Sequence, residues 1–117
     1  MILIVGGAYA GKREVAGAFG YEPSAMADGE LNGAPVLLNL HALIAKCGGD
    51  TEGLLPVLLE KEIITCNEVG AGVVPVDPAE RALREAIGRL CVELAREAMA
   101  VVRVVAGIPV AIKGELP

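Results

Sequence analysis

Seven residues near the start, Gly6-Gly7-Ala8-Tyr9-Ala10-Gly11-Lys12, have the G-x-x-x-x-G-K spacing of a phosphate-binding loop. In such a loop successive backbone N–H groups turn inward and form an anion nest at the positive end of a helix dipole. A lysine at the position of Lys12 then reaches the outer phosphates of a nucleotide. Glycine is needed where a side chain would block the approach or forbid the backbone angles. Gly6, Gly7, Ala8, Tyr9, Ala10, Gly11 and Lys12 are therefore candidate nucleotide contacts, with Lys12 the catalytic cation. Arg13 comes next, where a metal-dependent loop has Ser or Thr to ligate Mg²⁺. Arginine ligates no magnesium. It either adds a cationic contact to phosphate or marks a loop that has lost metal-dependent turnover. The competing reading of the heptad is a glycine turn that joins a strand to a helix and does nothing more.

A second acidic element is harder to find. The apolar run Val36-Leu37-Leu38 ends in Asn39, where a metal-binding strand of this kind ends in Asp or Glu. The nearest carboxylate in a comparable place is Glu68, after the run Ile63 to Cys66. Asn67 and Glu68 could face a bound nucleotide, with Glu68 catalytic in holding a metal or orienting water. They could equally cap the turn through Gly70 and Gly72. His41 is the only histidine and lies among Leu40, Ala42 and Leu43, a setting that favours a buried, hydrogen-bonded core residue over a nucleophile. Cys47, Cys66 and Cys91 lack zinc-site spacing and read as reduced, buried thiols without partners. No metal-ligating set is expected.

These residues must be positioned by the elements around them. Ile2 to Val5 is a β-branched and Leu run that predicts a strand buried on both faces, followed by a helix from about Gly11 to Ala18. Residues 19–35 lose periodicity and collect turn formers. Val36 to Leu40 predicts a strand and the residues through Lys46 a helix. Thr51 to Glu60 predicts a helix entered through Asp50 or Thr51. Ile63 to Cys66 predicts a third strand. From Ala79 to about Ala100, Leu83, Ile87, Leu90, Cys91, Leu94 and Ala98 recur at helical spacing, with Asp77 as N-cap, Pro78 at the first helical position and Glu80 placed for a capping box. Val101 to Val105 and Pro109 to Lys113 predict the remaining strands. Alternating strands and helices imply an α/β fold with a mainly parallel sheet of about four to five strands, in one domain spanning residues 1–117.

Composition narrows the function classes. The 117 residues are 54% hydrophobic with no Trp and one Phe, so the core is aliphatic. A net charge of −5 with dispersed basic residues excludes an electrostatic footprint for nucleic acid. No apolar stretch reaches the ~18 residues of a membrane span, and the opening strand is too short for a signal-peptide core, which together predict a cytoplasmic protein.

Asn67-Glu68-Val69-Gly70-Ala71-Gly72-Val73-Val74-Pro75 resembles the N-E-V-G-x-G-[IV]-V-P motif of the adenosylcobinamide kinase / adenosylcobinamide-phosphate guanylyltransferase family of cobalamin biosynthesis. The family's R-x-x-R-[DE]-x-x-G pattern is similar to Arg81-Ala82-Leu83-Arg84-Glu85-Ala86-Ile87-Gly88, and its closing G-I-P-x-x-[IL]-K to Gly107-Ile108-Pro109-Val110-Ala111-Ile112-Lys113. The resemblance implies a three-layer RecA-like P-loop fold, GTP or ATP as the nucleotide, adenosylcobinamide or another corrinoid as acceptor, and a homo-oligomer, with a trimer favoured. Mg²⁺ would accompany the nucleotide, with Arg13 in place of its usual loop ligand.

The departures from the family are specific. Arg13 replaces its Ser, Asn39 its acid, and Cys91 a helical Asn. The segment that supplies the guanylylated histidine is missing, with only residues 19–35 in its place, and His41 lies beyond it. The expectation is a kinase-like nucleotide-binding protein impaired in guanylyl transfer, or else a non-catalytic binding or assembly module that retains the fold.

Overall fold

The computed structural model describes residues 1–69 and 75–117. Its centre is β1 (Ile2–Gly6), whose register sets the site: β4 (Ile63–Asn67) lies parallel on one side and β5 (Ala100–Val105) parallel on the other, with Gly6 opposite Asn67 and Val104. The sheet extends outward through β3 (Val36–Leu38) and β2 (Met26–Asp28), both parallel, and closes at the other edge with β6 (Ile108–Lys113), antiparallel to β5. The order is β2-β3-β4-β1-β5-β6.

Helices cover both faces, as buried parallel strands require. On one face Val15 and Ala16 of α1 (Lys12–Ala18) pack on Ile4, Val36, Leu38, Ile63, Val102 and Val104. On the other, α2 (Leu40–Lys46), α3 (Leu54–Leu59) and α4 (Pro78–Glu97) bring Leu40, Ile44, Leu58, Ile87, Leu90 and Leu94 onto Leu3, Leu37, Ile64 and Val101. The fold is thus the expected three-layer α/β, RecA-like P-loop architecture. It has six strands instead of four to five.

The added strand is β2, three residues inside the stretch that reads as turns, made a strand by pairing with β3. Other boundaries move for local reasons. β3 stops at Leu38 because Asn39 is left-handed (φ 59°), a conformation Asn tolerates better than most residues, and Leu40 already opens α2. α3 starts after left-handed Gly53, so Asp50 does not cap it and instead accepts from the Glu52 amide at 3.0 Å. Pro56 falls in the first turn of α3, where no intrahelical N–H is needed. α4 starts where expected, with Asp77 Oδ1 accepting from the Ala79 amide at 3.0 Å and Pro78 at its first position, but Glu80 lies 3.8 Å from Arg84 instead of closing a capping box. It ends at Glu97 because Ala98 is extended and Ala100 belongs to β5.

The thiols also differ from expectation. Cys47 is exposed at the end of α2, and Cys66 of β4 lies against Cys91 of α4 with a hydrogen bond between them. This bond first and burial second push the Cys66 thiol far above its ordinary pKa, so it stays protonated. No described helix is long and apolar enough to cross a membrane.

Candidate functional site

The expected phosphate loop runs from the end of β1 into α1, at the carboxyl ends of the parallel strands where open α/β sheets bind ligands. Tyr9 and Gly11 take positive φ, 60° and 100°, and Gly11 is the left-handed residue that turns the chain into the helix. Two close approaches explain the outer glycines. A Cβ at Gly6 would stand 2.7 Å from the Val104 carbonyl oxygen, and one at Gly11 would stand 3.1 Å from Gly107 Cα. The β5–β6 turn is therefore pressed against the loop, and the Gly107 amide donates to the Ala10 carbonyl at 2.7 Å.

Lys12 is 7% exposed, and its Nζ donates to the Gly7 carbonyl at 2.6 Å, inside the loop it closes. Burial lowers its pKa, while the Glu68 carboxylate acts in the opposite direction. Arg13 is exposed and lines the same cleft, of about 370 Å³, with Ala8, Tyr9, Ala10 and Gly11. That volume is within the range of small-molecule sites. The far wall is Asp28, Leu38, Asn39, His41, Thr65 and Asn67.

The far wall is a hydrogen-bonded set. Thr65, 1% exposed, accepts from the Asn39 amide at 2.9 Å, and Asn39 Nδ2 donates to Asp28 Oδ1 at 2.6 Å. His41 Nδ1 accepts from the Asn67 amide at 3.1 Å, which requires that nitrogen to be unprotonated. Burial lowers the His41 pKa and so does the Lys12 charge, with Asp28 opposing. His41 is half-buried and hydrogen-bonded, as its sequence setting suggests, and it also faces the cleft.

The structure groups Gly11, Lys12, Arg13 and Asn67 around one cleft and sets Glu68 apart from them. Its carboxylate accepts from Arg103 Nε at 2.7 Å and from a terminal guanidinium nitrogen at 3.3 Å, and it lines an adjoining cleft of about 320 Å³ with His41, Asn67, Leu83, Arg84 and Ile87. His41, Ala42 and Asn67 form the wall shared by the two clefts. Gly70 and Gly72, invoked as the turn that Asn67 and Glu68 could cap, lie outside the described residues, as do the other motif residues from 70 to 74.

Sequence reasoning missed Asp28, Thr65 and Arg103. Arg103 carried a signal, being the single charge within the run Val101 to Val105 and on the strand beside β1. Asp28 and Thr65 carried none, since only the pairing of β2, β3 and β4 brings them to the cleft.

As for Mg²⁺, no group of three or more His, Cys, Asp or Glu among the described residues could hold a metal by itself. The oxygen donors Asp28 and Thr65 on the cleft wall fit a hydrated ion carried on a nucleotide's phosphates, which needs only one or two carboxylates from the protein.

The family model described as cobinamide kinase / cobinamide phosphate guanyltransferase matches residues 46–112, more than half of the chain. The match takes in β4, α4, β5 and most of β6 but not residues 6–12. Among curated proteins, none matches the chain.

Proposed function

The chain belongs to the cobinamide kinase / cobinamide phosphate guanyltransferase family, and from that premise we propose that it binds GTP or ATP on the loop from Gly6 to Lys12 and phosphorylates a corrinoid alcohol such as adenosylcobinamide, with guanylyl transfer impaired. One observation carries the proposal: the Lys12 ammonium is buried at the cleft floor and already bonded to an oxygen of its own loop. A phosphate oxygen entering there takes over a bond that the loop has pre-formed. Arg13 adds a second cation at the rim, and loop amides supply the remaining donors.

In phosphoryl transfer the acceptor hydroxyl oxygen bonds to the γ-phosphorus, the bond to the bridging oxygen breaks, the nucleoside diphosphate leaves, and the hydroxyl proton passes to solvent. Catalysis is mostly positioning and charge neutralisation. Lys12 fits the neutralising role. Glu68, its carboxylate fixed by Arg103, would orient the acceptor from the adjoining cleft, and Asn67 would hold the wall between the two ligands. The weakness in guanylyl transfer is proposed because His41, the one histidine, offers Nδ1 to the Asn67 amide. That bond leaves the proton on the other ring nitrogen, which is then no nucleophile.

A calorimetric titration with GTP and with ATP, each with and without Mg²⁺, tests the reading. Saturable binding lost in Lys12→Ala supports it, and absence of any binding by the unmodified chain sinks it.

A second reading, a binding or assembly module without chemistry, is favoured by the engagement of Glu68 with Arg103 and by Arg13 in place of a metal-ligating hydroxyl. Phosphoryl transfer to cobinamide with either nucleotide would eliminate it. Both readings carry a cytoplasmic location and a homotrimer as expectations, the latter supported by the outer face of β6, where Ile108, Val110 and Ile112 are exposed. Light scattering on the purified chain tests the assembly.

A further inference from the structure

Asn39 leaves the end of β3 without a carboxylate, yet the cleft wall is not without one. Asp28 ends β2, the next strand outward, opposite Leu38 in the register. Its position is fixed from both sides. The Gly29 amide donates to the Leu38 carbonyl at 2.8 Å, and Lys46 Nζ donates to the Gly29 carbonyl at 2.9 Å. Gly29 has φ +65°, and a Cβ there would stand 3.3 Å from Ala42 Cβ, so the turn after Asp28 is built for glycine. Asn39, left-handed and tied by its amide to Thr65, sets its own side-chain amide against Asp28 Oδ1 at 2.6 Å.

That bond uses only part of what a carboxylate accepts. Among the described residues no lysine or arginine forms an ion pair with Asp28; Arg84 and Arg89 pair with glutamates of α4, and Arg103 pairs with Glu68. The result is a negative charge without an ion-pair partner on the wall of a cleft whose opposite wall carries Lys12 and Arg13 beside Glu14. A nucleotide polyphosphate in that cleft meets repulsion from Asp28, unless a divalent cation lies between the two and makes the interaction attractive.

We propose that Asp28, presented by the Asn39 amide, is the carboxylate that holds the divalent cation of a bound nucleotide, displaced by one strand from the place where Asn39 stands. The proposal rests on the reading that the loop binds nucleotide. The cation is of the hard, oxygen-seeking Mg²⁺ class, held through water and phosphate oxygens. Asp28 acts here on the affinity and metal dependence of binding.

The test is titration of the full chain with GTP and ATP in Mg²⁺ and in chelator, for the unmodified protein and for Asp28→Asn. Asparagine keeps the oxygen that accepts from Asn39 and removes only the charge. In the unmodified chain Mg²⁺ should tighten binding at least tenfold. In Asp28→Asn that ratio should fall toward one, and binding in chelator should be as tight as in the unmodified chain or tighter, because the repulsion is gone. Electron paramagnetic resonance with Mn²⁺ and nucleotide should show less bound metal in the variant. Glu14→Gln, which removes the carboxylate lining the cleft from the first turn of α1, should leave the ratio unchanged.

Full retention of the Mg²⁺ enhancement in Asp28→Asn would overturn the proposal, as would an equal loss in Glu14→Gln. Nucleotide binding by the unmodified chain that is indifferent to Mg²⁺ overturns it while sparing the proposed function. Absence of nucleotide binding by the unmodified chain overturns both.

Discussion

The Lys12 ammonium donates to the Gly7 carbonyl at 2.6 Å, so the cation is held by the loop that it closes. Replacing Lys12 with alanine removes a charge-assisted bond worth about 1.5–3 kcal/mol. Nucleotide affinity should fall by roughly 10- to 100-fold in calorimetry. An unchanged affinity would show that phosphate is bound elsewhere.

Gly6 lies against the Val104 carbonyl and Gly7 has open space. Gly6→Ala must push β1 and β5 apart, and about 1–3 kcal/mol of stability should be lost. Gly7→Ala should stay within about 0.5 kcal/mol of the unmodified chain. Thermal unfolding of the two variants distinguishes them, and equal melting temperatures would contradict the close approach.

His41 has a lowered pKa, through burial first and the Lys12 charge second. Below about pH 6.5, the ordinary imidazole value, the unfolded chain takes up a proton that the folded chain resists. This contribution to stability is therefore complete above that pH and declines as the pH falls toward the folded value. His41→Leu should lose less stability than the unmodified chain between about pH 7.5 and pH 5.5. Parallel losses in calorimetric scans would remove His41 as the cause.

Lys61 is nearly buried, and its Nζ donates to the carbonyls of Asn32 and Ala34, at 2.5 and 2.6 Å. Lys61→Met leaves both oxygens without that donor and should cost about 1–3 kcal/mol in urea unfolding. A variant as stable as the parent would mean that water replaces the ammonium at no cost.

Legibility in the sequence followed the range of the interactions. β1, the loop and α1 were readable because a buried strand, a glycine turn and a helix start are adjacent in the chain. The start of α4 was readable because Asp77 and Pro78 act within one turn. β2 was not readable, because three residues carry no period and only β3 makes them a strand. The same holds for the cleft. Lys12 was legible from spacing, but the chain Thr65–Asn39–Asp28 joins three strands, and its bonds follow from their alignment, not from any local motif. Cys66 and Cys91, distant in sequence, meet where β4 faces α4. Glu68 was placed at the correct strand end, yet its engagement by Arg103 depended on how β4, β1 and β5 lie side by side.

The amide of Gly107 grips the Ala10 carbonyl, so the turn between β5 and β6 clasps a loop far earlier in the chain. Until residue 107 has been added at the ribosome that bond cannot exist, and before β5 is made β1 lacks its partner along one edge. The loop therefore takes its final form only once β5 and the turn after it have been synthesised.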